Sequence, residues 1–170
     1  MIKIREEQKQ DIQTIHDLNL QAFGQPQESD IVDKLRDNCN DLISLVAIMD
    51  DQVVGHILFS PATIENEGQA VLGMGLAPMA VLPEYQNQGI GSELIRSGIK
   101  RLAIRGCPFA IVLGHSNYYP RFGFVSSSRF GIKCEWEVPD EVFMILVLNK
   151  PEMAGVSGVA RYRPEFANAI

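Results

Sequence analysis

Met79-Ala80-Val81-Leu82-Pro83-Glu84-Tyr85-Gln86-Asn87-Gln88-Gly89-Ile90-Gly91-Ser92-Glu93-Leu94-Ile95 passes from an apolar run ending at Pro83, through a polar loop, to two glycines that open an amphipathic helix. Gly89 and Gly91 carry no Cβ, so the backbone there turns sharply and approaches a ligand closely. The first helical turn offers unpaired N–H groups at the positive end of the helix dipole, a setting suited to phosphate. The stretch therefore predicts a strand, a loop and a helix that hold a diphosphate-bearing cofactor. The same glycine pair also serves an ordinary strand-to-helix turn, and that reading stays open at this point. Two other phosphate motifs are excluded. The dinucleotide fingerprint requires a glycine where Leu94 stands, and the chain has no Gly-Lys-Ser/Thr run of a Walker loop.

The 170 residues, 46% apolar and 21% charged, fit one domain with a full core. A net charge of −6 without a Lys/Arg cluster argues against nucleic-acid binding. It leans towards a cationic substrate, although surface carboxylates also simply keep a protein soluble. Cys39, Cys107 and Cys134 lack Cys-x-x-Cys spacing and read as reduced thiols, with no metal site and no disulfide. Met1-Ile2-Lys3-Ile4-Arg5 runs into charged residues, which predicts no signal peptide, and no apolar run reaches the roughly 20 residues that span a bilayer. The expectation is a cytoplasmic protein without a membrane partner.

Along the chain, Ile2 and Ile4 alternate with charged residues as in a short strand. Ile12, Ile15, Leu18 and Ala22 recur at helical spacing with Asp11 as cap or first-turn acid. Gly24-Gln25-Pro26 breaks that helix, and a short second one starts near Ser29 or Asp30. Leu42 to Met49, Val53 to Phe59 (ended or edged by Pro61) and Gln69 to Leu82 predict three strands of an antiparallel meander. The helix after Gly91 buries Ile90, Leu94, Ile95, Ile99 and Leu102, while Arg96, Lys100, Arg101 and Arg105 lie outward, on a solvated face or within reach of a cofactor's outer phosphate. Phe109 to Leu113 is a buried strand, parallel by the crossover rule. Ser126 to Ser128 reads as loop, Ile132 to Trp136 as a candidate strand, Glu141 to Leu148 as the final strand, and Pro151 to Gly158 as a loose connection.

The string Val81-x-Pro83-x-x-Gln86-x-x-Gly89-x-Gly91-x-x-Leu94 resembles motif A of the GNAT-superfamily N-acetyltransferases, and Tyr119-x-x-x-Gly123-Phe124 matches the Tyr-x-x-x-Gly-Phe string that many members carry after the fifth strand. The fuller run Leu113-Gly114-His115-Ser116-Asn117-Tyr118-Tyr119-Pro120-Arg121-Phe122-Gly123-Phe124 is similar to the small bacterial YhbS-type branch. Pro120 departs from the helical members and predicts a short or irregular helix there.

The resemblance implies an α/β (α+β) GNAT fold, with a mixed, mostly antiparallel sheet of about six to seven strands flanked by helices on both faces. It implies a domain over residues 1–150, with 151–170 as a C-terminal extension on that domain or on a dimer partner. It implies direct acetyl transfer from acetyl-CoA to a primary amine of a small molecule or peptide. Cofactor contacts are expected from Met79, Ala80 and Val81 on the strand, from Gln86, Asn87, Gln88, Gly89, Ile90, Gly91 and Ser92 on the loop, and from Asn117 and Tyr119. Tyr119 is the expected general acid on the leaving thiolate, with Tyr118 the fallback and a core aromatic the bland reading. The backbone at Val81 is the expected oxyanion or thioester contact. Glu28 is a candidate base or substrate contact beside Asp30, in the region where the family's first helices wall the acceptor pocket. Glu65, Glu135, Asp140 and a water chain are other candidates for the base. His115 reads as pocket-lining or structural, and His56 more weakly still. The competing readings are a non-catalytic acyl-CoA sensor and a protein N-terminal or lysine acetyltransferase.

Overall fold

Alternating Lys3–Glu6 (β1) lies antiparallel to the apolar run Ile43–Met49 (β2), with Lys3 opposite Ile48 and Glu6 opposite Leu45. In the computed structural model, which describes residues 1–167, the meander continues through Gln52–Asn66 (β3) and Gln69–Val81 (β4). A helix over Ile90–Ile104 then crosses to Phe109–Leu113 (β5), which pairs with β4 in parallel. Val125–Ser126 (β6), Ile132–Cys134 (β7), Phe143–Val147 (β8) and Gly158–Arg161 (β9) complete nine strands among the described residues. The order is β1-β2-β3-β4-β5-β8-β6, with β9 pairing with both β3 and β7. The helices are Ile12–Phe23 (α1), Gln27–Asn38 (α2), Ile90–Ile104 (α3) and the single turn Lys150–Met153 (α4).

Two apolar layers cover the sheet. Ile90, Leu94, Ile95 and Leu102 of α3 pack with Leu45, Phe59 and Phe124 on one face. Ile31, Val32 and Leu35 of α2 pack with Phe109, Ile111, Tyr162 and Phe166 on the other. The sheet is thus sandwiched, as the resemblance implies, and the three short strands β6, β7 and β9 raise its count above six to seven.

Several local expectations change. β3 does not stop at Pro61. β2 ends opposite Phe59 and β9 begins opposite Thr63, so that edge has no partner strand at Pro61 and the missing N–H breaks no ladder there. β8 is not the last strand, because β9 follows it. α2 runs a full 12 residues and starts at Gln27, ahead of Ser29 and Asp30. The Asp11 carboxylate makes no cap to α1; it accepts from the Gln8 N–H at 2.7 Å and pairs with Arg5 at 2.6 Å, closing the preceding 3-10 turn. Residues 151–167 of the expected extension contribute to the chain's own sheet and core through β9, Tyr162 and Phe166, and residues 168–170 lie outside the described part.

Candidate active site

β4 and β5 pair only from Met74 opposite Ala110 to Leu76 opposite Val112. Beyond that point Ala77 and Pro78 face a single residue of β3, Leu58, between the pairs Phe59–Leu76 and Ile57–Met79. This is a bulge, which bends β4 away from β5. The Leu82 N–H donates to Val54 O at 2.9 Å, on the β3 side. Strand alternation therefore turns the N–H and C=O of Met79 and Val81 towards the side that β5 has left. The Gln86 side chain reaches Val81 O at 3.1 Å, in keeping with that direction.

After a 3-10 turn at Pro83–Tyr85, the loop uses two left-handed residues, Asn87 at φ 64° and Gly89 at φ 85°. Asparagine and glycine tolerate that region best. The first intrahelical bond of α3 runs from the Glu93 N–H to Gly89 O at 3.1 Å, and no side chain caps the helix. The N–H groups of Ile90, Gly91 and Ser92 are thus left for an anion. A Cβ built on Gly89 would have no atom within 4 Å, so the loop presents open space at that point. A phosphate-bearing ligand such as acetyl-CoA fits this cradle.

Past β5 the chain makes a 3-10 turn over Tyr119–Phe122, irregular as Pro120 predicts. Gly114 lets the Tyr119 ring lie directly on the strand end, since any Cβ there would collide with the ring. Tyr119 is buried and packs edge-on against Tyr118 and Phe124 at 5.2 and 5.7 Å. Burial, with a smaller contribution from Tyr118, pushes its phenol up to about 12. Tyr118 reaches the other way: its hydroxyl lies 3.4 Å from Ser92 Oγ, and a Cβ on Gly91 would come within 3.0 Å of it. Arg121 stacks on Tyr118, its guanidinium carbon 5.2 Å from the ring centre.

These elements enclose a cleft of about 960 Å³. Its far wall is aromatic. Trp136 stacks on Tyr162 at 5.8 Å and 20°, Phe166 meets Tyr162 at 5.0 Å, and Phe23 and Ile31 come from α1 and α2. The Tyr162 hydroxyl donates to Leu76 O at 3.3 Å and Ile111 O at 3.4 Å, at the level where the strands part. Gly75 admits its ring, because a Cβ would come within 2.5 Å of it. Burial raises the Tyr162 phenol far above its ordinary range, so it stays protonated.

Of the residues singled out from sequence, Met79 and Val81 line the cleft from β4, and Gln86, Asn87, Gly89, Ile90, Gly91 and Ser92 line it from the loop and helix. Tyr119 and Glu28 line it too, Glu28 with both carboxylate oxygens 3.1 Å from Gln25 Nε2. Ala80 is turned into the core, and Gln88 and Asn117 are exposed away from the lining. His115 lines the cleft; His56 is buried in a polar chain in which Asn19, His56, Ser44 and Glu7 follow one another at 3.3, 2.9 and 2.8 Å. The other candidate bases are committed elsewhere: Glu135 accepts from the Tyr162 N–H at 2.7 Å, Glu65 pairs with Arg161 at 2.7 Å, and Asp140 accepts from Ser128 at 3.0 Å. Of the outward cations of α3, Arg101 and Arg105 pair with Glu6 and Asp41, and Arg96 lies over Phe122. The arginine among the described lining residues is Arg121, which the Leu113–Phe124 run includes without giving it a role. Trp136, Tyr162, Phe166 and Phe23 carry no functional signal in the sequence either, the first ending a candidate strand and the next two lying in the C-terminal extension.

Residues 3–126 match the family profile described as an acetyltransferase (GNAT) domain. The N-acetyltransferase YjhQ of Escherichia coli K12 is 40% identical over 136 residues, covering 78% of this chain and 75% of that one. The N-acetyltransferase YhbS of the same strain is 30% identical over 146 residues, covering 85% and 86%. The crystal structure of Escherichia coli YhbS in complex with CoA superposes with a TM-score of 0.90 at 29% identity, covering 98% of this chain and 92% of that one. A GNAT acetyltransferase from Brucella melitensis in complex with acetyl-CoA gives 0.78 at 34% identity, covering 98% of each chain.

Proposed function

The chain belongs to the GNAT family of acetyltransferases, and from that premise we propose that it carries the acetyl group of acetyl-CoA directly onto a primary amine. It is an acyltransferase whose donor is acetyl-CoA. One observation carries the reading: the unpartnered N–H groups at the start of α3 and the open edge of β4 share a single cleft. The first suits a diphosphate. The second suits an amide-bearing arm that runs beside β4 like an added strand.

In this reading the N–H of Val81, or that of Met79 with the same orientation, receives the negative charge that grows on the acetyl oxygen. The amine nitrogen bonds to the acetyl carbon as the carbon–sulfur bond breaks, the surplus amine proton leaves through water, and the departing thiolate is protonated. Alkyl amines near pKa ~10 arrive charged. Glu28 draws the ammonium into the cleft, and the amine gives a first proton to water before attack because the apolar wall disfavours its charged form. Tyr119 acts on the sulfur. Burial pushes its phenol up to about 12, so the hydroxyl keeps its proton and can point it at the sulfur. Tyr119 therefore serves as a hydrogen-bond donor to the thiolate, and solvent supplies the proton.

The test is release of free thiol from acetyl-CoA against a panel of amines, together with the affinity for acetyl-CoA. Amine-dependent release at saturating acetyl-CoA is expected. Tight binding without release for any amine would make the protein an acyl-CoA-binding sensor instead.

A further inference from the structure

The cleft's charge is far sparser than the chain's. Among the described side chains that line it, Glu28 is the one acid, and Arg121 and His115 are the basic types. Away from the cleft, carboxylates such as Glu7, Glu6, Asp41 and Glu65 are held in ion pairs with Arg36, Arg101, Arg105 and Arg161. The same cleft is lined by the stacked rings of Trp136 and Tyr162, with Phe166 against Tyr162. Phe23, 38% exposed at the end of α1, faces the same space.

We infer that the acceptor is a monoamine whose ammonium meets Glu28 and whose body is a single aromatic ring, an arylalkylamine. This rests on the transferase reading and narrows it. A flat ring lies against an aromatic wall by offset or edge contacts that an alkyl chain makes poorly. An ammonium beside those faces is also attracted by them. One carboxylate balances one ammonium. A polyamine would bring further charges towards Arg121, where like charges repel and the described lining offers no second carboxylate. Glu28 is on this view a positioning residue, held by Gln25, and the aromatic wall sets specificity. That wall comes from Trp136, Tyr162 and Phe166, all beyond the residues 3–126 that match the family profile.

Trp136 is the single tryptophan of the chain, so its emission reports on the wall directly. The protein saturated with CoA is titrated with 2-phenylethylamine, n-butylamine and spermidine, by calorimetry and by Trp136 quenching, and the same amines are compared in the thiol-release assay with acetyl-CoA. Phenylethylamine is expected to bind about tenfold tighter than butylamine, with saturable quenching, and spermidine weakest. Phe23→Ser, at an exposed position, is expected to reduce the aryl preference towards unity, whereas Glu28→Gln weakens both monoamines alike. Equal affinities for the two monoamines, a preference for spermidine, or tight binding that leaves Trp136 emission unchanged overturns the inference. If thiol release still occurs, those outcomes leave the transferase reading intact. An aryl preference in binding without thiol release from any amine supports the wall assignment and overturns the transferase reading instead.

Discussion

The two halves of the cleft are made of different material. The half proposed for the donor is main chain: N–H groups of Ile90, Gly91 and Ser92, and the strand edge at Met79 and Val81. The opposite half is side chain: Trp136, Tyr162, Phe166, Phe23 and Glu28, brought from four separate segments. Main chain recognises what every donor molecule shares and barely depends on residue type, apart from glycine where a Cβ has no room or the wrong φ. Side chains recognise what differs between acceptors. A family keeping one donor while exchanging acceptors needs this division of labour.

The sharpest way to break the comparison is Gly89→Val. At φ 85° a β-branched residue is strained, and its methyls enter the open space of the loop. Affinity for acetyl-CoA measured by calorimetry should fall at least about a hundredfold, or ~3 kcal/mol, with acceptor binding much less affected. Unchanged affinity would mean that the donor half is not built on this backbone.

The scaffold beneath β4 adds a pH axis. His56 lies opposite Ala80 of β4 and is fully buried; burial holds its imidazole down near 4, against the opposing pull of Glu7 and with a small addition from Arg36. An unfolded histidine titrates near ~6.5, so between those values the unfolded chain binds the extra proton. Stability should therefore drop as pH falls from about 6.5 to 4, by an amount on the order of 3 kcal/mol. Glu7 is raised by burial but lowered further by Arg36 and Ser44, and Arg5 holds Asp11 low; their contributions vanish only as pH falls through their own depressed values. Urea midpoints across this range should slope in the wild type and flatten in His56→Gln, and matching slopes would remove His56 as the cause.

What could be read in advance follows the same division. Alternation marked β1, short apolar runs between turn residues marked β2 to β5, and the glycines with the motif A resemblance marked the loop at α3, all of them contiguous signals. Tyr119 came from a short local string. The side-chain wall gave no such signal. Trp136 stands 26 residues before Tyr162 (162 less 136), and only the β7–β9 pairing brings them together. β9 itself, Gly158-Val159-Ala160-Arg161, is too short for alternation to register. Pro61 left two outcomes open, strand end or strand edge, and the choice of edge depends on where β9 takes up its pairing at Thr63, about a hundred residues away in sequence.

A smaller effect distinguishes the two tyrosines at position 118 and 119. Tyr119→Phe keeps the ring in its packing against Phe124 and removes only the hydroxyl. Turnover should fall about tenfold or more while affinity for acetyl-CoA changes little, since the bond is made chiefly to the leaving thiolate. Tyr118→Phe, by contrast, removes a hydroxyl beside Ser92 and should weaken acetyl-CoA binding with turnover at saturation nearly preserved. The reverse pattern would exchange their roles.

Tyr162→Phe is the mildest change and tests whether the wall also holds the strands apart. Its hydroxyl has one proton to share between Leu76 O at 3.3 Å and Ile111 O at 3.4 Å, both long for a hydrogen bond. Losing it should cost about 1 kcal/mol in the denaturant midpoint, because the ring and its contacts with Trp136 and Phe166 remain. If those carbonyls merely find water, kinetics should be unaltered. If the bond fixes where β4 parts from β5, the acceptor KM should rise a few-fold, with the affinity for acetyl-CoA intact, since the phosphate cradle at Gly89 lies on the loop and not on the strands. A loss confined to acetyl-CoA affinity would instead mean that the two halves are coupled through β4, and that the backbone surface depends on the side-chain wall for its shape.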